Sequence, residues 1–579
     1  MRRLSLLLAL APGLWLLGCS DSGFSLSADK ASDTGAYGGA ADEGDGGAGG
    51  GGPGGSGGAD TADINLGGEQ EDDFLRLLPA ATDKYVFVAN PARNTVTRIG
   101  STSLEVITVE VGANPAVVQT TPDYQRAATF NQDSDDVSII DAATLNVETV
   151  PVRENFNNMV MSPDGRWVIC YHDQAIDEQT NGSGGVSSYN EISLVDLEGA
   201  IHLPQVVGFQ PVQIKYSGDS SLAVVVSDEN LAVIDLTVEE PVPVLVQIAE
   251  DLGNPPAAEE VVITPDGSYA LVRQYGVNEL VVVDLRTLSV QRVAAGDNPT
   301  DLDLSPDGDF AVVVARSSKE LHVFDIASFT GASAATGPGG PGGPGGPDTG
   351  DTGGLDTAVE DTGGEDTGGD TGGAAFPTDA SLVLSLPEDE IIGSLLFAPS
   401  GDKAILYTTA SLEARYHVWD LATDDIAVHL LEKPIRSMSI SPTGESMLVF
   451  HTEADADDAD PASPFFGEEA LTIIDLDDFR SNPLLLEDKP KAYANSNDGR
   501  WGYFVMEDLP WLIAIEYSTL LFEPVQLFSE AVHVGVMPDT SYAYVNQTHD
   551  LGRISFYEPD EEILETITGF ELNAGIEHE

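Results

Sequence analysis

Three histidines open three acid-rich loops: His172 in YHDQAIDEQTNGSGGVSSYN, His451 in FHTEADADDADPASPFFGEE and His549 in NQTHDLGR. Imidazole nitrogen beside carboxylate oxygen is a donor set for a divalent cation, which makes these three the candidate metal ligands. No fixed spacing relates them, and a single loop histidine is ordinarily only solvated. The second loop also carries Phe465 and Phe466 in SPFF, an apolar tip that can dock a partner or fold back over the strands beside it. Basic residues are scarce. Arg93 in NPARN, Arg273 in VRQYGVN, and Arg316 and Lys319 in ARSSKE stand in corresponding loops, where they can meet an anionic ligand or partner; the competing reading is a solvated rim. There is no CxxCH haem motif and no convergent nucleophile, base or metal set in the sequence, so no catalytic residue is assigned.

The setting of these loops is strongly acidic. The chain has 96 Asp and Glu against 25 Lys and Arg, a formal net charge of -71. Such a surface repels a phosphate backbone, which excludes nucleic acid as a partner, and it disfavours docking on anionic headgroups. Residues 331–377 include PGGPGGPGGPDTGDTGGLDTAVEDTGGEDTGGDTGG, whose Asp-Thr-Gly repeats lack the DxDxDG spacing and distal Glu of a calcium loop. They read as a disordered acidic insertion. No cofactor is evident, and weak Ca2+ binding is the one ion affinity the acid excess suggests.

What must position the loops is a repeat. The turn in MSPDGRWV returns as TPDGSYALV, SPDGDFAVVV, SPTGESMLV and NSNDGRWGYFV, with looser copies at Pro122, Gly218, Pro399 and Pro538. Around each turn lie four apolar, β-branched runs of about five or six residues, bounded by Gly, Pro, Asn or Asp. Four short strands in a unit of about 41 to 47 residues is a β-propeller blade. The stretch KYVFVANPARNTVTRIGSTSLEVITVEVGANP, from Lys84 to Pro115, resembles the YVTN family of propeller repeats, and the SPDG turns resemble TolB-like and WD40-like repeats. The resemblance implies an all-β propeller over 71–579 and is nearly silent on function.

Ten turns predict one ring of about ten four-stranded blades, with two smaller propellers as the alternative. The insertion at 331–377 separates LHVFDI from SLVLSL, the third and fourth strands of one blade, so it lengthens a loop and leaves the ring intact. The Asp closing the third strand, as at Asp141, Asp196 and Asp284, is expected to cap the following turn. The first strands, read as VVQTTP, NMVMSP, VVITP, LDLSP and SMSISP, are expected to be packing. The tail GFELNAGIEHE can add a strand to the first blade or fray.

At the N-terminus, Arg2 and Arg3 precede a short apolar run ending at Gly18 and Cys19, the layout of a secretory signal. Leu16, Leu17, Gly18 and Cys19 resemble the lipobox of bacterial lipoproteins. That implies cleavage after residue 18, acylation of Cys19 and, with Ser20 following, sorting to the outer membrane, on its periplasmic or outer side. Residues 20–70, with GGAGGGGPGGSGGA at their centre, read as a disordered tether whose mean reach is on the order of 40 Å. Cys170, the only other cysteine, can form no internal disulfide. The expected protein is a tethered propeller that binds or scaffolds protein or glycan partners. The alternative is a propeller enzyme of lactonase or hydrolase type with a metal site on the loop face.

Overall fold

The computed structural model describes residues 79–174, 176, 190–331, 377–387, 391–456, 459–570 and 577–578. The signal, Cys19, the tether and nearly all of the insertion lie outside them. Ten antiparallel sheets follow one another along the chain in a single ring, nine of four strands and one of five. Blade 1 opens at Ala80–Ala81 and blade 10 at Ala531–Val536. The third and fourth strands of blade 6, Glu320–Asp325 and Leu382–Ser385, pair across the insertion as its position requires.

The local reason for each blade is the turn between its first two strands. In blade 3 Ser162 Oγ donates to Asp164 Oδ1 at 2.6 Å, and the same oxygen accepts from Arg166 N at 3.1 Å. Ser162 Oγ then accepts from Trp167 N at 2.9 Å, so two side chains satisfy the turn that starts the second strand. The pattern recurs at Asp266, Asp307 and Asp498. Gly165 closes this turn at φ 70°, where an added Cβ would lie 2.7 Å from Pro122 of the preceding blade. The third-strand aspartates act as expected: Asp141 Oδ1 accepts from Ala143 N and Thr144 N, and Asp284 Oδ1 from Arg286 N and Thr287 N. In the first unit the turn falls at 82–84, just after Pro79, because the first strand there is only two residues long.

A blade buries both faces against its neighbours, so its strands alternate between two cores. Ten apolar clusters result, one at each blade interface. Cys170 is fully buried in the cluster between blades 2 and 3, and burial pushes its thiol well above the usual range. Blades 10 and 1 close the ring through side chains: Val86, Ile99, Tyr544 and Phe556 pack together, and Tyr544 Oη donates to Pro79 O at 3.0 Å. The tail does not join blade 1. Glu577–His578 pairs with Ile567 and Thr568 as a fifth strand on the outer edge of blade 10.

Candidate functional site

The first strand of a blade borders the central channel. In six blades it begins with a β-bulge, as between Ala258 and Glu260 in blade 5 and between Pro299 and Asp301 in blade 6. A bulge pushes one residue out of the pairing and re-aims the next. The polar bulge residues reach the following blade: Thr300 Oγ1 donates to Gly393 O at 2.7 Å, Arg436 Nη2 to Pro490 O at 3.0 Å, and Lys491 Nζ to Ala531 O at 3.4 Å.

At blades 5 and 6 the same device gathers acids. Glu260, Asp301 and Asp303 are 8%, 6% and 8% exposed, and their carboxylate oxygens lie within 4.8 Å of one another. Arg273 Nε donates to Glu260 at 3.1 Å, Nη1 pairs with Glu259, and Nη1 also donates to Pro299 O at 3.3 Å. Burial works against the guanidinium charge, but Glu260 and Glu259 outweigh it and hold Arg273 above its ordinary range. Asp301 accepts from Leu302 N and, across the interface, from Leu395 N of blade 7. The set is therefore a buried knot joining three blades, tied to Arg273 on one side and to a backbone amide of blade 7 on the other. Its oxygens suit a hard divalent cation.

A second acidic region opens to solvent. In blade 8 the loop between Ser446–His451 and Ala470–Asp475 is pinned by Lys433, which is 1% exposed. Its amine donates to Glu453 O at 2.9 Å, Asp455 Oδ1 at 2.9 Å and Phe465 O at 3.1 Å. Asp455 Oδ2 in turn accepts from Gly467 N at 2.9 Å. So held, the loop walls a cleft of about 360 Å³ against the connection from blade 8 to blade 9. Glu453, Glu468, Glu469, Glu487, Asp488 and Glu507 line it, with Lys489. Burial raises the Glu469 carboxyl and Glu453 adds to this, against the pull of Arg436, Lys489 and Lys433. Phe466 is 43% exposed at the loop tip, while the carbonyl of Phe465 is taken by Lys433.

The three histidines fall in blades 3, 8 and 10 and are not brought together. His451 closes the second strand of blade 8 and is buried; Nδ1 donates to Pro434 O at 3.1 Å, leaving Nε2 to accept from Thr472 Oγ1 at 2.7 Å. Asn90, Asn131 and Gln547 hold the same place in blades 1, 2 and 10, bonded to Thr97, Ser138 and Ser555. Burial lowers the His451 pKa to about 4. His172 Nδ1 lies 3.2 Å from Asn155 O, and His549 Nδ1 accepts from Leu551 N at 3.1 Å. Among the bases, Arg273 is inside the carboxylate knot, Arg93 is exposed in a 3-10 turn of blade 1, and Arg316 and Lys319 are half-buried in the second-to-third-strand turn of blade 6. The first strands are not only packing. Glu260 and Asp301 stand directly before VVITP and LDLSP, and Asp303 lies within the latter; acids at the start of an apolar run are the signal the sequence offers.

Residues 220–338, roughly a fifth of the chain, match the family described as Lactonase, 7-bladed beta-propeller. No curated protein matches. Among solved structures, the chain is similar to dihydro-heme d1 dehydrogenase NirN in complex with DHE, at 16% identity and TM-score 0.39, over 70% of this chain and 74% of that one. It is also similar to a eukaryotic initiation factor at 11% identity and TM-score 0.42, covering 72% and 90%. A third likeness is to Citrobacter koseri AztD, at 12% identity and TM-score 0.34, covering 62% and 86%.

Proposed function

We propose that this chain is a binding module, a lipid-tethered propeller whose loop face captures a ligand or partner protein through cationic groups. The observation that carries this reading is the pinned loop of blade 8. A buried lysine with three acceptors fixes the wall of an open cleft, and the cleft presents six carboxylates against one lysine. Such a concavity focuses negative potential and favours amines, guanidinium groups or hydrated divalent cations over anions. Titration of the full chain with spermidine, followed by calorimetry, tests it. The triple variant Glu469→Gln, Glu487→Gln, Asp488→Asn is expected to bind about fivefold more weakly. Equal affinity in the variant would reduce the effect to bulk charge and sink the reading. Attachment is tested separately, by the mass of the N-terminal peptide and its change in Cys19→Ser.

A second reading, an enzyme of lactonase or hydrolase type, is favoured by one observation. The segment matching the lactonase family contains Glu260, Asp301 and Asp303, whose oxygens are close enough to share one cation. Metal content of the purified protein, and its melting temperature in Ca2+ and then in chelator, decide it. A stoichiometric ion whose removal lowers the melting temperature supports the reading; no ion and no shift removes it.

A further inference from the structure

Every blade ends in an outer strand whose far side pairs with nothing in its own blade, which makes it an edge open to strand addition. Blade 10 covers its edge with the tail strand Glu577–His578, so this chain already uses strand addition on itself. Along an antiparallel pair, amides point alternately toward the partner and away. In blade 3, Val207 N donates to Asn190 O, so Gln205 and Leu203 turn inward and Pro204 faces out. The same count from Val152, Leu486 and Leu527 places Pro151, Pro483 and Pro524 outward in blades 2, 8 and 9. Four edges thus lack an outward donor where a docking strand would need one. In blade 5 the outward amide of Ala294 is taken by Thr378 O at 3.2 Å. Blade 1 ends its outer strand in Glu110, and those of blades 4 and 6 are only four residues long.

Blade 7 differs. Its outer strand, Asp425–Leu430, has six residues and no Pro, Lys or Arg. Leu431 N donates to Ala414 O, which turns the amides of Ile426, Val428 and Leu430 outward. Val428 and Leu430 are 45% and 75% exposed on one face of that strand. No other strand among the described residues pairs with this edge.

We propose that the outer edge of blade 7 is a docking site for an extended segment of a partner protein, apolar at alternate positions and flanked by Lys or Arg. Main-chain pairing supplies affinity, and Val428 and Leu430 select apolar side chains on one face. Asp424 and Asp425 at one end and Glu432 near the other call for basic flanks. The net charge of -71 opposes a second copy of the chain as occupant. The site is remote in kind from the cleft of blade 8 and does not depend on it.

The test uses the full chain and a labelled peptide of alternating Val and Thr with two Lys at each end. Fluorescence anisotropy should show binding, and amide exchange should show protection at Ile426, Val428 and Leu430. Val428→Pro removes one outward amide and leaves the inward ladder intact; it should weaken binding about tenfold at an unchanged melting temperature. Leu430→Arg, which leaves the backbone alone, should weaken it as well. The same proline on blade 1, Thr108→Pro, should not. Unchanged binding in both blade 7 variants would overturn the proposal. So would equal binding of a charge-matched peptide with Pro in place of Thr, or a dimer in sedimentation that Val428→Pro dissolves.

Discussion

The carboxylates joining blades 5, 6 and 7 and those around the cleft of blades 8 and 9 use the same chemistry in opposite surroundings. In the first region Glu260, Asp301 and Asp303 are buried and tied to an arginine, a backbone amide and a neighbouring blade. In the second, the buried charge is a lysine with a full set of acceptors, and the acids it organises face water. One arrangement converts charge into inter-blade adhesion. The other spends its buried contacts on shaping a loop and leaves the charge available. That is why the proposed recognition is placed at the cleft, while the knot serves cohesion.

The sharpest way to break the comparison is Arg273→Met. It removes the guanidinium that Glu259 and Glu260 share, and the expected loss is about 4 kcal/mol at pH 7, read by urea unfolding. Without the guanidinium the folded carboxylates hold protons more tightly than unfolded ones, so the loss should shrink as pH falls toward 4. An unchanged stability would mean that the acids there are already neutral or compensated by a bound ion. Lys433→Met comes next, at about 3 kcal/mol, because Asp455 loses its buried counter-charge and the carbonyls of Glu453 and Phe465 each lose a charged donor. Amide exchange in residues 452–469 should rise with it, while exchange in blades 5 and 6 stays as before. A uniform change around the ring would erase the distinction between the two regions.

His451 gives a smaller, pH-dependent effect. Burial keeps its folded pKa near 4, below the ordinary value of 6.5, so the unfolded ring takes up a proton first. Stability is therefore complete above about pH 6.5 and declines as pH falls toward 4. His451→Asn, the residue that blades 1 and 2 use at this place, should remove up to about 2 kcal/mol of that decline and cost little at pH 7. The smallest effect is expected from Glu469→Gln in the cleft. Its raised carboxyl is partly exposed and screened, so relief of repulsion should stabilise by no more than about 0.5 kcal/mol in thermal unfolding. A loss instead would make Glu469 an ion-pair partner of Arg436 or Lys489 and move the cleft toward the behaviour of the knot.

The ring was legible because its determinants are local. A Ser or Thr two residues before an Asp, with Gly after it, specifies a turn within five residues; blades 3, 5, 6 and 9 carry it whole and other blades in looser copies. The place of the insertion inside one hairpin followed from the same register. The two acidic regions were hidden because they are assembled over long separations. Glu260 and Asp301 meet across one whole blade, each just past a bulge that interrupts the period-two pattern. Lys433 finds Asp455 and Phe465 only after the loop has closed. His451 drew attention as a metal donor, yet Asn90, Asn131 and Gln547 at the same step of other units already show a hydrogen-bonding position.

The seam between blades 10 and 1 has a mechanical consequence. No strand is exchanged there, and the chain enters the ring through Ala80–Ala81, paired only to Val86 and Phe87. A pull on the chain upstream of Pro79 therefore arrives at a strand of only two residues, beside the Tyr544 to Pro79 hydrogen bond. That strand would peel residue by residue instead of shearing as a unit, and the remaining nine blades would carry none of the load until it had gone. The entry point would then act as a fuse, yielding at low force before strain reaches the loop face.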